Sequence, residues 1–332
     1  MAVPGQSVLD ASAWDDISTT TLRKRSKKIS DNFTKSNALL HRLEKKGMRK
    51  PWSGGRSLVK ELSYKANETV KRYSGYENLD IRPTHHLTAA EYTLRQMAVA
   101  VTMSGLEMLT NSGDSSVLNL LEQRIENAEQ SLIEVLGGDV FSDGSADAGK
   151  QLGGLQLLVS DTGLGTVGGI DSSTWTFWRN KALDMSTSGL GVMSASTIQS
   201  GMNRMYLSLV LGNKHPDLIL ADQTAFTFYL ESLQAIQRIT KETDAQAGFQ
   251  SLKYMGADVV LDGGIGGGNG PQDGRMYFLN TDTLFYSPHS ERDMVPLNPT
   301  RHVVNQDAMV KLIAWAGTMG TTNRRMNGVL VA

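Results

Sequence analysis

The chain has 332 residues, 40% of them hydrophobic, which is enough for a substantial core and sets a soft expectation of about two domains. It has no cysteine, so disulfides, thiolate metal sites and a cysteine nucleophile are excluded. The net charge is only -1 but unevenly placed: residues 21–50 carry eleven Lys or Arg against Asp31 and Glu44, a local +9 that leaves about -10 for the rest, so head and body attract one another within a subunit or between neighbours.

The opening MAVPGQSVLDASAWDD has neither the basic segment nor the apolar core of a signal peptide. No run approaches the roughly 18 apolar residues of a membrane span, and a soluble, cytoplasmic chain is expected. Residues 1–50 read as a polar, basic arm whose apolar residues are too sparse for a core. Residues 51–86 alternate small, aromatic and charged residues between glycine turns. They predict a long two-stranded excursion with sides near 56–64 and 79–95, which needs a partner surface because an isolated hairpin is marginal in water.

AVAVTMSG, residues 98–105, returns as a strand with Val99, Val101 and Met103 on one face. A long helix follows, capped by Asp114 or Ser115, with Leu118, Leu121, Ile125, Ala128, Leu132 and Val135 as its apolar stripe. Glu122, Glu126, Glu129 and Glu134 face away, and Gly137-Gly138 stop it. Residues 137–170 are glycine-rich, with LQLLV as a strand. Ile198, Met202, Met205 and Leu209 mark a helix, HPDLILAD a buried strand, and TAFTFYLESLQAIQRI a helix capped by Asp222. SLKYMGADVVLDGG and RMYFLNTDTLFYS are strand signals around a glycine-dense loop at 263–274, and DAMVKLIAWAGTMG and MNGVLVA close the chain as strands.

Gly163, Gly165 and Gly168 spell G-x-G-x-x-G, but a dinucleotide cradle needs a following helix, and IDSSTWTFW is β-branched, aromatic and turn-like. GGIGGGNGPQDG lacks the Gly-Lys-Ser/Thr ending of a phosphate loop. The histidines, at 41, 85, 86, 215, 289 and 302, have no metal-ligand spacing, and no G-x-S-x-G elbow is present. No catalytic, cofactor-binding or metal-binding residue is assigned, and the chain is read as a non-enzyme. Trp175, Phe177 and Trp178 read as core or subunit-contact aromatics rather than a stacking platform.

The order of phrases, SSVLNLLEQRIENAEQSLIEVL after the hairpin, then GGDVFSDG, GGLQLLV, GGIDSSTWTFWRN, HPDLILADQTAFTFYLESLQ and YFLNTDTLFYSPHSERDM, resembles the major capsid proteins of tailed double-stranded DNA phages with the Hong Kong 97-type fold. That resemblance implies an α+β chain with a basic N-terminal arm (1–50), an extended hairpin loop (51–95) and a peripheral domain (96–149) with a spine helix at 115–136. An axial α/β domain (150–284) and C-terminal strands (285–332) running back through both domains complete it.

It also implies self-assembly as hexamers and pentamers into an icosahedral virion capsid built in host cytoplasm around DNA, with non-specific DNA contact. The further partners are a separate scaffolding protein, a portal and a decoration protein, with no large N-terminal cleavage, no covalent closure and no cofactor. The glycines between spine and axial body read as a hinge for expansion. Intersubunit contacts are expected at Arg23, Lys24, Arg25, Lys27, Lys28, Arg56, Lys60, Lys65, Lys71, Arg72, Trp175 and Trp178. The alternatives are an encapsulin-type compartment and, from another class, a nucleotide-dependent oxidoreductase or a non-specific DNA-binding protein.

Overall fold

The computed structural model describes residues 37–110, 114–233, 251–262, 270–302 and 307–332. Arg23, Lys24, Arg25, Lys27 and Lys28 lie outside them. The end of the arm departs from expectation, because α1 (Ala38–Lys45) puts Leu39, Leu40 and Leu43 fully into the core. Asn37 caps α1 by accepting from the Leu39 and Leu40 N–H groups. Three leucines at helical spacing suffice once the body supplies the other wall. The charge imbalance acts here within the subunit. Arg42 reaches Asp217 and Asp258 at 3.5 and 3.1 Å, and Lys46 reaches Asp217 and Asp282 at 3.1 and 2.8 Å.

β1 (Ser57–Ser63) and β2 (Leu87–Thr93) pair antiparallel from Ser57↔Thr93 to Ser63↔Leu87. The ladder is therefore shorter than predicted, and residues 79–86 belong to no strand. β3 (Arg95–Ser104) carries Val101 and Met103 into the core. α2 (Gly105–Thr110) and the 26-residue α3 (Asp114–Asp139) follow. Gly137-Gly138 do not stop α3. Leu136 and Val140 are fully buried around them, and that packing outweighs a glycine penalty of about 1 kcal/mol. Two assignments in the stripe reverse: Val135 is exposed and Glu129 is buried, because the inward positions run 125, 128, 129, 132 and 136. The Leu118 and Leu121 side chains lie outside the described set.

LQLLV is not a strand. α4 (Leu155–Leu158) is one helical turn that buries Leu155 and Leu158, its i and i+3 positions. Gly154, in the glycine-rich stretch, is a tight crossing: a Cβ there would sit 2.3 Å from the Asp139 and Val140 carbonyl oxygens. β4 (Thr166–Val167) and β5 (Ile170–Asp171) form a minimal hairpin, followed by a 3-10 turn at Thr176–Trp178 and β6 (Lys181–Asp184).

α5 (Ile198–Leu209) buries the predicted Ile198, Met202, Met205 and Leu209, each contributing about 1.5–3 kcal/mol. Then come β7 (Leu218–Ala221) and α6 (Gln223–Ser232), which is capped as expected by the Asp222 carboxylate. The two paired strand signals each resolve into two strands, β8 (Ser251–Tyr254) with β9 (Ala257–Leu261), and β10 (Arg275–Leu279) with β11 (Leu284–Pro288). β12 (Val295–His302), β13 (Ala308–Thr321) and β14 (Gly328–Val331) end the chain.

The six-stranded sheet runs β6-β14-β10-β7-β9-β8. α5 and α6 cover one face over Met276, Phe278 and Ile219, and the other face joins the larger core through Leu218, Leu220 and Tyr277. With both faces covered, β7 reads as a continuous apolar run rather than an alternation. The second sheet centres on the 14-residue β13, which pairs with β3 on one side and with β11 and β12 on the other. The root of the β1–β2 hairpin packs on this second sheet, where Tyr92 meets Thr321 of β13 and Phe285 of β11.

Candidate interaction surface

The β1–β2 ladder closes where the Tyr64 N–H donates to the His86 carbonyl at 3.1 Å. Beyond that bond, residues 65–86 form no strand or helix, and their hydrogen bonds stay local, as where Asn67 Oδ1 accepts from Thr69 and Thr84. Val70 is 83% exposed and Ile81 92%, with Tyr73, Tyr76 and Leu79 also outside. The charges pair within the segment: Lys65 with Glu68, Lys71 with Glu77 at 3.1 Å, and Arg82 with Asp80 at 2.8 Å. The Arg82 hydrogen bonds hold the Asp80 carboxyl below its ordinary range. A mostly self-neutralised segment with bare apolar side chains suits a protein surface better than a polyanion.

The root of the hairpin is fixed rather than loose. Tyr92 Oη donates to the Thr321 carbonyl at 2.6 Å and accepts from the Thr321 N–H at 3.1 Å. Burial pushes the Tyr92 phenol up to about 12, so it keeps its proton. Its ring meets Phe285 edge-on at 5.3 Å, and the Lys60 ammonium lies 5.0 Å from the centre of the same Phe285 ring.

The glycines at 163–169 explain themselves here. Gly168 has φ +60, and a Cβ on it would lie 2.8 Å from the Ala90 Cβ, while its carbonyl accepts from the Glu91 N–H at 2.9 Å. Gly168 serves close approach of a turn to the hairpin root, whereas Gly163 lies against the Asn180 carbonyl. No helix follows them and no phosphate cradle forms.

Arg324 gathers this region. Its guanidinium is fully buried and donates to four carbonyls, those of Leu157, Leu158, Leu164 and Gly165, and to the hydroxyls of Ser160 and Ser172, at 2.7–3.4 Å. Burial among neutral partners lowers it from 12.5 to about 10, still charged at neutral pH. Nothing in the NRRMNG pattern marks which of Arg324 and Arg325 turns inward.

The expected contact residues separate by place. Lys65, Lys71 and Arg72 are exposed on the excursion. Arg56 is exposed at the root, beside Glu91 and Arg95 on a cavity of about 660 Å³. Lys60 belongs to the root packing. Trp175 is 49% exposed and meets the Tyr64 ring edge-on at 6.0 Å, while Phe177 stacks on Tyr64 at 5.2 Å. Trp178 corrects its assignment: it is 2% exposed and donates its indole N–H to the Val167 carbonyl, so it packs its own subunit and cannot face another.

Among the described residues no group of three or more His, Cys, Asp or Glu is placed to hold a metal, and no helix is long and apolar enough to cross a membrane. Sequence reading missed Tyr64, Tyr92 and Arg324. The alternation of Ala90 and Tyr92 was a usable signal for Tyr92, whereas Arg324 had none.

No protein-family model matches the chain, and neither does any curated protein. Solved structures do. The cyanophage A-1(L) capsid subunit is 16% identical, with a TM-score of 0.54 over 86% of this chain and 91% of its own. The holo-SrpI encapsulin of Synechococcus elongatus is 9% identical, with a TM-score of 0.53 over 85% and 83%. The capsid of a native GTA particle is 9% identical, with a TM-score of 0.51 over 86% and 88%. The chain shares the Hong Kong 97-type fold with these shell subunits, which bears out the resemblance at the level of fold.

Proposed function

We propose that this chain is the shell-forming subunit of an icosahedral capsid, the major capsid protein of a tailed phage whose hexamers and pentamers enclose double-stranded DNA. The observation that carries the reading is the excursion at 65–86. It exposes Val70, Tyr73, Tyr76 and Ile81 on a chain with a shell-subunit fold, and a lone subunit gains nothing from it. Residues 51–95 then serve as the bridging loop, α3 as the spine, and the six-stranded sheet with α5 and α6 as the axial body. A scaffolding protein, a portal, a decoration protein, non-specific contact with packaged DNA and intersubunit contact by Arg23, Lys24, Arg25, Lys27 and Lys28 belong to the same proposal.

An encapsulin-type compartment is the second reading, supported by a likeness to the encapsulin as strong as that to the phage subunit. Negative-stain microscopy of the expressed protein, with and without its scaffold, tests the first step, and shells or capsomers are the expected result. Protein that stays monomeric with scaffold present, and is missing from particles, refutes it. Nuclease-protected DNA inside isolated particles separates a phage head from a compartment holding an enzyme.

A further inference from the structure

The root of the hairpin holds a second apolar feature. A crevice of about 260 Å³ opens between Tyr64, Phe177, Trp178 and Leu211, with Glu61 on its rim. It is smaller than the roughly 300 Å³ at which small-molecule pockets begin, and it has room for one aromatic side chain. Leu211 is 52% exposed beside it, and Leu207 and Val210 continue the apolar surface along the end of α5.

Resting on the shell reading above, we infer that this crevice is the socket for the excursion of a second copy, with Tyr73 entering it and Arg72 pairing with Glu61. Charge and adjacency carry the assignment. Of the four Lys and Arg at 65–86, only Arg72 has no carboxylate partner among the described residues. Glu61 makes no ion pair among them either, although Arg325 lines the same crevice. Arg72 directly precedes Tyr73, so one short stretch presents a cation and an aromatic ring to a site offering a carboxylate and aromatic walls.

Within one copy the two do not meet, since no residue of 65–86 lines the crevice. Ligand and socket are different patches of the same chain. The contact is therefore head-to-tail, the kind that closes into rings.

The test uses full-length protein and sedimentation analysis of self-association. Arg72→Glu and Glu61→Arg, taken singly, are each expected to weaken association by roughly tenfold or more, because like charges then oppose at the rim. The double variant restores the pairing in every copy and is expected to return to within about threefold of wild type. Tyr73→Ala weakens association like the single charge reversals. All three positions are exposed or on the rim, so unchanged melting of the isolated subunit verifies folding.

Failure of the double variant to recover, or normal association of Arg72→Glu, overturns the socket while leaving the shell reading in place. A wild-type chain that never associates overturns both. Loss of DNA retention by Arg72→Glu with association intact assigns Arg72 to nucleic acid and also overturns the socket.

Discussion

Replacing Arg324 by Met keeps most of the aliphatic volume but removes every guanidinium donor to the 157–172 segment that Arg324 supplies. Four backbone carbonyls lose their guanidinium donor. The Leu164 and Gly165 carbonyls keep donors from Ser160 and Ser172, whereas those of Leu157 and Leu158 lose their side-chain donor; at about 1.5–3 kcal/mol for each lost hydrogen bond from a charged donor, the four together come to roughly 7 kcal/mol. Removing the buried charge offsets part of this, since a fall from 12.5 to about 10 corresponds to about 3 kcal/mol of unfavourable burial. The expected net loss is about 4 kcal/mol, at the high end for a single substitution.

With an unfolding entropy of about 2.1 cal/mol/K per residue, that is roughly a 6 °C fall in Tm for a chain of this length, read by calorimetry on the isolated subunit. The folded pKa lies below the unfolded one, so the burial cost is constant below about pH 10 and is relieved only above it. The loss is therefore the same at pH 6 and pH 8. A fall in Tm under about 1 °C refutes the reasoning, because it means that the Leu157 and Leu158 carbonyls are satisfied without the guanidinium.

Gly168→Ala places a methyl against Ala90 at a left-handed φ and is expected to cost about 1–3 kcal/mol. Faster hydrogen exchange of the Glu91 amide checks that the damage is at the hairpin root. The Arg124 hydrogen bond holds the Glu107 carboxyl down to about 2, below its ordinary 4.5, so its contribution is full above about pH 4.5 and is lost as pH falls toward 2. Glu107→Gln accordingly flattens the acid limb of a stability-versus-pH curve over that window, and an unchanged slope contradicts the pairing. Among the described residues, trypsin is expected to cut the isolated subunit first at Lys65, Lys71 or Arg72, and assembled particles resist at those bonds. Equal cutting of both forms argues against burial of the excursion on assembly.

Local pattern determined much of this protein. The helical spacing of Ile198, Met202, Met205 and Leu209, the Asp222 cap and the alternation of Val101 and Met103 each satisfy a short-range rule, and each appears as read. The projecting hairpin was legible for a related reason: residues 65–86 contain too few aliphatics to bury themselves. Tertiary structure decided what depends on a second surface. Leu39, Leu40 and Leu43 became core because the body supplied the facing wall, and Gly137-Gly138 stayed helical because Leu136 and Val140 pack around them.

Trp175 and Trp178, three residues apart, parted into an exposed ring and a buried one, and Arg324 rather than Arg325 turned inward. Which of two like neighbours is buried depends on carbonyls and side chains more than 150 positions away, as with Arg324 and Leu158. Hydrophobic periodicity carries no term for such partners, and only the closed fold brings them within hydrogen-bonding distance.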